Sequence, residues 1–348
     1  MSLSRRDRRE WRIFLWISLT SAVISAYFGY AIAPPDSIPW IGALAGVANS
    51  VLIATPITWF ELRSERPGAL RQLRRLPLAA YFSIKVVFYL VVIMGSLLLV
   101  RLLATPFLPP RTADDTTLRN SIIFAVAMSV FGNVTIEMGL LLGFGTLKNL
   151  LTGRYVQPKK EQMAFLLIDM KDSTGLAERL GPIRFHELLN EFFRDVADAA
   201  LECGAGIHKY VGDEAILTWP ADRALADGDC LACPFIARDF IAAGGDRYRR
   251  RFGVVPAFRA ALHCGEIVAG EIGDLRREIA YVGDTLNVAA RLLDAAKTLG
   301  HDVLVSNELL DRTTLPANLR AEALPTLTVR GRAAPLGISA LQRLSAGT

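Results

Sequence analysis

The sequence is poor in cysteine. Its four thiols, Cys203, Cys230, Cys233 and Cys264, are spread over 348 residues and all fall in the second half. That usage gives no disulfide framework and suits a reducing compartment. Cys230-Leu-Ala-Cys233 has the local spacing of a zinc pair, but no second Cys/His pair stands near it, so a thiol pair, buried or at the surface, is the simpler reading. Also missing is a small-residue cleavage site after the first apolar run. That run is too long for a signal peptide and another follows at once, which argues against a cleaved leader. No well-spaced series of charges runs through the apolar segments, which argues against an ion path.

What is abundant is apolar sequence, at 52% of all residues, concentrated before residue 148. Four segments are long enough for a bilayer, which takes about 20 residues. They are Trp11–Ala33, Ile38–Phe60, Leu78–Ala104 and Asn120–Leu147. Arginine placement orients them. Arg5, Arg6, Arg8, Arg9 and Arg12 precede the first; Arg63, Arg66, Arg71, Arg74 and Arg75 lie between the second and third; Lys148, Arg154, Lys159 and Lys160 follow the fourth. The segment 34–39 has no basic residue, and in the loop 105–119 Arg111 and Arg119 stand against Asp114 and Asp115. Both termini and the middle loop are therefore expected on the cytoplasmic side of an inner or plasma membrane. The net charge of +5 thus speaks for a lipid partner and not for nucleic acid. Both outer loops are short, so any signal must arrive within the bilayer or from the cytoplasm. Lys85 and Glu137 stand at comparable depth in the third and fourth spans: either they pair, since a lone charge in lipid is costly, or Lys85 snorkels to the nearby interface and Glu137 is neutral.

The second half is ordinary in charge. Met163–Ile168 (MAFLLI) is a strand-length apolar run closed by Asp169. A helical pattern follows through Leu176, Leu180, Phe185, Leu188, Leu189, Phe192, Phe193 and Val196, with Ser173 or Thr174 as N-cap. Asp169 thus falls where a strand gives way to a helix N-terminus, whose N–H groups and dipole favour an anion. Gly206–Val211 and Ala215–Trp219 read as two strands turned at Gly212-Asp213, which holds Asp213 on a rigid tip. If the two strand ends are neighbours, these aspartates offer hard oxygen donors to Mg²⁺ and phosphate together. Phe258–Gly273 reads as a Gly-punctuated strand pair. After it, Asn287 and Arg291 lie one helical turn apart and share a face. An amide and a guanidinium there suit a ribose or ring oxygen and a phosphoryl oxygen; a solvated face with Arg291 in a surface salt bridge is the plainer alternative.

FLLIDMKDST, IHKYVGDE and YVGDTLNVAAR, in that order and at those separations, resemble three motifs of the catalytic domain of class III adenylate and guanylate cyclases. The resemblance runs from about Met163 to Leu341. It implies a ferredoxin-like βαββαβ core with extra strands, acting as a head-to-tail dimer. The expected fold is a membrane α-helical bundle of four spans (1–147), a cytoplasmic linker (148–162) and an α+β ferredoxin-like class III cyclase domain (163–343).

Residue by residue, the resemblance puts Asp169, Asp213 and the Met170 carbonyl on two Mg²⁺ or Mn²⁺ ions per site. It puts Asp172, Ser173 and Thr174 on the triphosphate and Lys209 on the purine. Asn287 falls on the ribose-orienting asparagine and Arg291 on the arginine that meets the α-phosphate in the transition state. Arg330 falls near a lysine that binds the terminal phosphates. Lys209 argues for adenine over guanine. Ala280 occupies a second purine-selecting position, typically Asp or Thr in adenylate cyclases, and cannot accept a hydrogen bond from the adenine amino group. No residue stands out as a general base. The implied reaction converts ATP to 3′,5′-cyclic AMP and pyrophosphate at a homodimer interface. The alternatives are a guanylate cyclase, an idle membrane receptor with a cyclase-like domain, and a diguanylate cyclase, for which the Asn287/Arg291 helix has no use.

Overall fold

The computed structural model describes residues 5–31, 33, 38–64, 76–104, 115–226, 228–275, 277–328 and 334–344. Arg66, Arg71, Arg74, Arg75, Arg111, Asp114 and Arg330, named above, lie outside the described residues, as do the side chains of the N-terminal arginines and Arg63. The chain divides into two compact units, Met1–Leu141 and Leu142–Thr348.

The first unit holds α1 (Arg5–Ala31), α2 (Pro39–Ser64), α3 (Leu78–Ala104) and α4 (Asp115–Leu142). Each contains a stretch long and apolar enough to cross a membrane: Phe14–Ala31, Pro39–Glu61, Ala80–Val100 and Ile122–Gly139. The fourth helix stops earlier than its apolar pattern predicts. Gly143 takes a φ of +82°, and Phe144–Leu151 forms a separate helix, α5.

Small residues set the crossing of α1 and α2. A Cβ on Gly42 would lie 2.4 Å from the Gly29 carbonyl oxygen, and one on Gly46 would lie 2.1 Å from that of Ser25. Only glycine admits two backbones that close, and the Gly42-x-x-x-Gly46 spacing puts both on one face. The Ser50 hydroxyl donates to Ser21 Oγ at 2.9 Å across the same two helices.

Charges tie α2, α3 and α4. Lys85 is fully buried, with Nζ 3.0 Å from Glu137 and 2.7 Å from Glu61. The Tyr89 hydroxyl donates to Glu61 as well. Of the two readings the structure has the Lys85–Glu137 pair, inside a larger cluster in which one ammonium serves two carboxylates. The Ser96 hydroxyl donates to Asn49 Oδ1 at 2.9 Å and adds a second polar link between α2 and α3.

The second unit continues with β1 (Lys159–Met170), α6 (Ser173–Leu180), α7 (Pro182–Glu202), β2 (Gly206–Val211), β3 (Glu214–Pro220), α8 (Ala221–Ala226), α9 (Asp229–Ala243) and α10 (Gly245–Phe252). Then come β4 (Phe258–Ile272), β5 (Glu278–Val282), α11 (Asp284–Leu299), β6 (Val303–Ser306), α12 (Asn307–Leu310), β7 (Leu319–Leu327) and β8 (Leu336–Arg343). The sheet order is β2-β3-β1-β4-β6-β8-β7, with β5 on β4. Its first four strands pair antiparallel in the order β2-β3-β1-β4, which is the ferredoxin-like βαββαβ core.

β1 is buried on both faces, so it reads as a continuous apolar run and not as an alternating one. Leu166 and Ile168 join Leu188, Phe192 and Val196 of α7 on one side. Phe165 and Leu167 join Val288 and Leu292 of α11 on the other. Each such side chain contributes about 1.5–3 kcal/mol by burial.

Three local readings need correction. Phe258–Ile272 is one 15-residue strand and not a pair. Its glycines serve close approach: a Cβ on Gly265 would lie 2.6 Å from Thr285 Oγ1, and one on Gly270 would lie 3.3 Å from Pro158. The helical run after Asp169 is two helices, broken where Gly181 (φ +74°) precedes Pro182 at the start of α7. The N-cap position of α6 is Asp172, not Ser173 or Thr174; it adopts φ 54°, ψ 35° and makes no side-chain cap. The thiols are all free and buried, and burial pushes Cys230 up to about 12, so the Cys-x-x-Cys of α9 is core packing.

Candidate active site

β1 and β3 run antiparallel with Asp169 opposite Glu214, and the two-residue turn Gly212-Asp213 joins β2 to β3. Gly212 has φ +61°, the conformation such a turn demands. The Met170 N–H donates to the Asp213 carbonyl at 3.4 Å, which ties the end of β1 to the hairpin tip. The Asp169 and Asp213 carboxyl groups lie close enough for each to feel the other's charge. Burial first, then the Asp213 charge, hold the Asp169 carboxyl well above the usual range, against the pull of Arg259 and Lys297. Glu214 is likewise raised, to about 7, by burial and by both aspartates and Asp294. Three half-buried acids therefore crowd one strand end.

The donor set fits a divalent cation. Among the described residues no larger cluster of His, Cys, Asp or Glu is arranged to hold a metal. Two carboxylates leave most of an octahedral shell to backbone carbonyl, water and substrate phosphate, which is how Mg²⁺ is commonly bound. Crowded like charges are also what such an ion relieves.

The turn from β1 into α6 is braced from below. The Lys171 N–H donates to the Ala257 carbonyl at 2.8 Å, and Lys171 Nζ pairs with Asp302, which Arg238 also contacts at 3.0 Å. Asp172 is exposed at the tip and lies 3.3 Å from Arg179. Ser173 and Thr174 open α6, where backbone N–H groups lack helical partners.

α11 is placed by its elbow. The Thr285 hydroxyl donates to the Glu266 carbonyl at 2.7 Å and packs over Gly265 of β4. Val288, Ala289, Leu292 and Leu293 face the core, which leaves Asn287 and Arg291 on the exposed side. Arg291 is 61% exposed and lies 3.5 Å from Asp294 of its own helix. Within one chain, then, the structure joins Asp169 to Asp213 and sets Asn287 beside Arg291, but it leaves the second pair facing solvent.

Lys209 follows a bulge at which His208 is the extra residue. The His208 ring stacks on Tyr281 at 4.4 Å, and Lys209 Nζ lies 3.9 Å from Glu278 Oε1. Ala280 pairs with Gly270 of β4 and offers no polar side chain. The contact of Glu278 with Lys209 is missed by motif reading, although the period-two spacing of Glu278 from Ala280 is visible in the sequence.

No protein-family profile matches the chain. It is 37% identical to Adenylate cyclase 2 of Rhizobium meliloti (strain 1021) over 303 residues, which is 86% of this chain and 84% of that one. The chain belongs to the class III adenylate/guanylate cyclases. The cyclase is also 24% identical over 181 residues to an adenylate cyclase of Anabaena cylindrica, covering 49% of this chain and 35% of that one. Its fold is shared with a bacterial light-regulated adenylyl cyclase at a TM-score of 0.51 and 15% identity, over 64% of this chain and 65% of the other. The cyclase is thus a nucleotidyl cyclase whose first unit carries four helices able to span a bilayer.

Proposed function

We propose that the protein is a membrane-bound adenylate cyclase that converts ATP to 3′,5′-cyclic AMP and pyrophosphate at sites shared by two copies of the chain. The observation that carries this reading is the meeting of Asp169 and Asp213 at the end of β1. In it, Asp169, Asp213 and the Met170 carbonyl hold two Mg²⁺ or Mn²⁺ ions. When bound, the ions lower the pKa of the ribose 3′-hydroxyl and neutralise charge on the departing pyrophosphate.

The chain's own residues do the rest. The N–H groups of Ser173 and Thr174, at the start of α6, bind the triphosphate, with Asp172 at the turn. Lys209 of the second copy orients the purine. Asn287 of the second copy orients the ribose, and that copy's Arg291 donates to the α-phosphoryl oxygens as charge grows on them. The ribose 3′-oxygen bonds to the α-phosphorus, the bond from that phosphorus to the bridging oxygen of the β-phosphate breaks, and the hydroxyl proton passes to solvent. The exposure of Arg291 and Asn287 in the single chain supports a site completed by a partner. The arginine distribution supports a cytoplasmic catalytic unit.

The test is a product assay on the purified full chain with Mg²⁺ or Mn²⁺, using ATP and GTP. Cyclic AMP and pyrophosphate in equal amounts are expected. Protein inert toward every nucleoside triphosphate would overturn the reading.

A further inference from the structure

The seat for the purine lacks one acceptor and holds another nearby. Position 280 is alanine, yet Glu278 lies two residues earlier on the same strand. Side chains alternate along a strand, and Ile279 and Tyr281 pack on the core, so Glu278 and Ala280 share the opposite face. Glu278 Oε1 is 3.9 Å from Lys209 Nζ, and the two side chains are 49% and 42% exposed. This contact joins β2 to β5, strands that are not neighbours in the sheet. The His208–Tyr281 stack, at 4.4 Å and 27° between ring planes, pins the same two strands, next to Lys209 on one and next to Ala280 on the other. An ammonium and a carboxylate are thereby held side by side, with solvent access, at the position assigned to the base.

We propose that Glu278 is the specificity-determining partner of Lys209: its carboxylate accepts from the 6-amino group of adenine while Lys209 donates to N1. The inference rests on the reading of the protein as an adenylate cyclase. The edges of the two purines differ in order. From position 6 to position 1, adenine presents a donor and then an acceptor; guanine presents an acceptor and then a donor. With Lys209 at position 1 and Glu278 at position 6, adenine makes two charge-assisted hydrogen bonds. Guanine in the same seat sets its carbonyl against the carboxylate and its N1–H against the ammonium. A site built around a matched polar pair rejects the mismatched base because both groups are left unpaired. Glu278 thus supplies the acceptor that Ala280 lacks.

Both side chains are about half exposed, so their replacement spares the core. The experiment measures kcat/KM for ATP and for GTP with the full-length protein in detergent. It compares wild type, Glu278→Ala, Glu278→Gln and the exchange Lys209→Glu/Glu278→Lys. Glu278→Ala is expected to shift the ATP-to-GTP ratio toward GTP by about 10- to 100-fold, the range for a hydrogen bond to a charged group. Glu278→Gln, which keeps an acceptor, is expected to shift it less, and the exchange variant is expected to prefer GTP. A wild type that makes cyclic AMP together with an unchanged ratio in Glu278→Ala would overturn the role of Glu278 and leave the cyclase reading standing. A wild type that makes no cyclic nucleotide would overturn both.

Discussion

Asp169 and Asp213 bring their carboxyl groups together, so that after burial the Asp213 charge is what most raises the Asp169 carboxyl, although one closes the first strand and the other tips a hairpin. The fold holds them there against their mutual repulsion, since Lys171 is anchored to Asp302 behind the turn and Met170 donates to the Asp213 carbonyl. Asp169→Asn and Asp213→Asn are each expected to lower cyclic nucleotide formation at least about 100-fold. Neither should lower the Tm of metal-free protein, because each removes a like-charge contact. A fall in Tm that tracks the loss of activity would make the pair a structural device.

Lys85 is the keystone of α2, α3 and α4, with Glu61 at 2.7 Å and Glu137 at 3.0 Å. Lys85→Met leaves two carboxylates buried without their cation and is expected to cost about 3–5 kcal/mol of stability. The triple variant Glu61→Gln/Lys85→Met/Glu137→Gln should recover much of that loss. A double-mutant cycle on Lys85 and Glu137 is expected to give about 1 kcal/mol or more of coupling. Zero coupling would reduce the contact to coincidence.

Gly46 faces the Ser25 carbonyl oxygen at a distance no side chain can share. Gly46→Ala is expected to destabilise the first unit by about 1–3 kcal/mol, as overpacking does. Gly95→Ala on α3, where a Cβ meets nothing within 4 Å, is the control and should be neutral or stabilising. Equal effects at the two positions would contradict the close crossing.

His208 gives the catalytic unit an acid limit. Burial, then the Lys209 charge, hold its pKa down to about 4. The unfolded chain therefore binds a proton that the folded one refuses, and stability rises with pH through that window. It is fully present above the ordinary histidine pKa and is lost as pH falls toward about 4. With partial exposure discounted, the loss by pH 5 is about 1 kcal/mol. His208→Phe keeps an aromatic ring against Tyr281 and should flatten the dependence of Tm on pH between 6.5 and 4. An unchanged slope would assign the acid sensitivity elsewhere.

Local signals were legible wherever they were strong. The apolar run Met163–Ile168, the turn at Gly212 and the four long apolar segments each specify structure without help from distant residues. The Gly181-Pro182 break carried a local signal too, but the apolar spacing runs across it and hid it. What could not be read has a tertiary cause. Gly265 and Gly270 look like strand breakers in the sequence; in the fold they make room for Thr285 and Pro158, and β4 runs through them. Glu61 sits near a helix end, where a carboxylate usually faces water, and its place beside Lys85 depends on how three helices pack. Glu278 shows the same limit, since its partner is on a strand that is not its neighbour.

Complementation between two inactive variants is the most direct measurement. Asp213→Ala and Arg291→Ala are each predicted to be inactive as homodimers. In cells producing both full-length chains equally, half of a random dimer population pairs one of each and regains one of two sites. Activity should then return to about a quarter of wild type, as twofold symmetry requires. Activity that stays at the level of the single variants, with both chains shown to associate, would contradict a site shared between two copies.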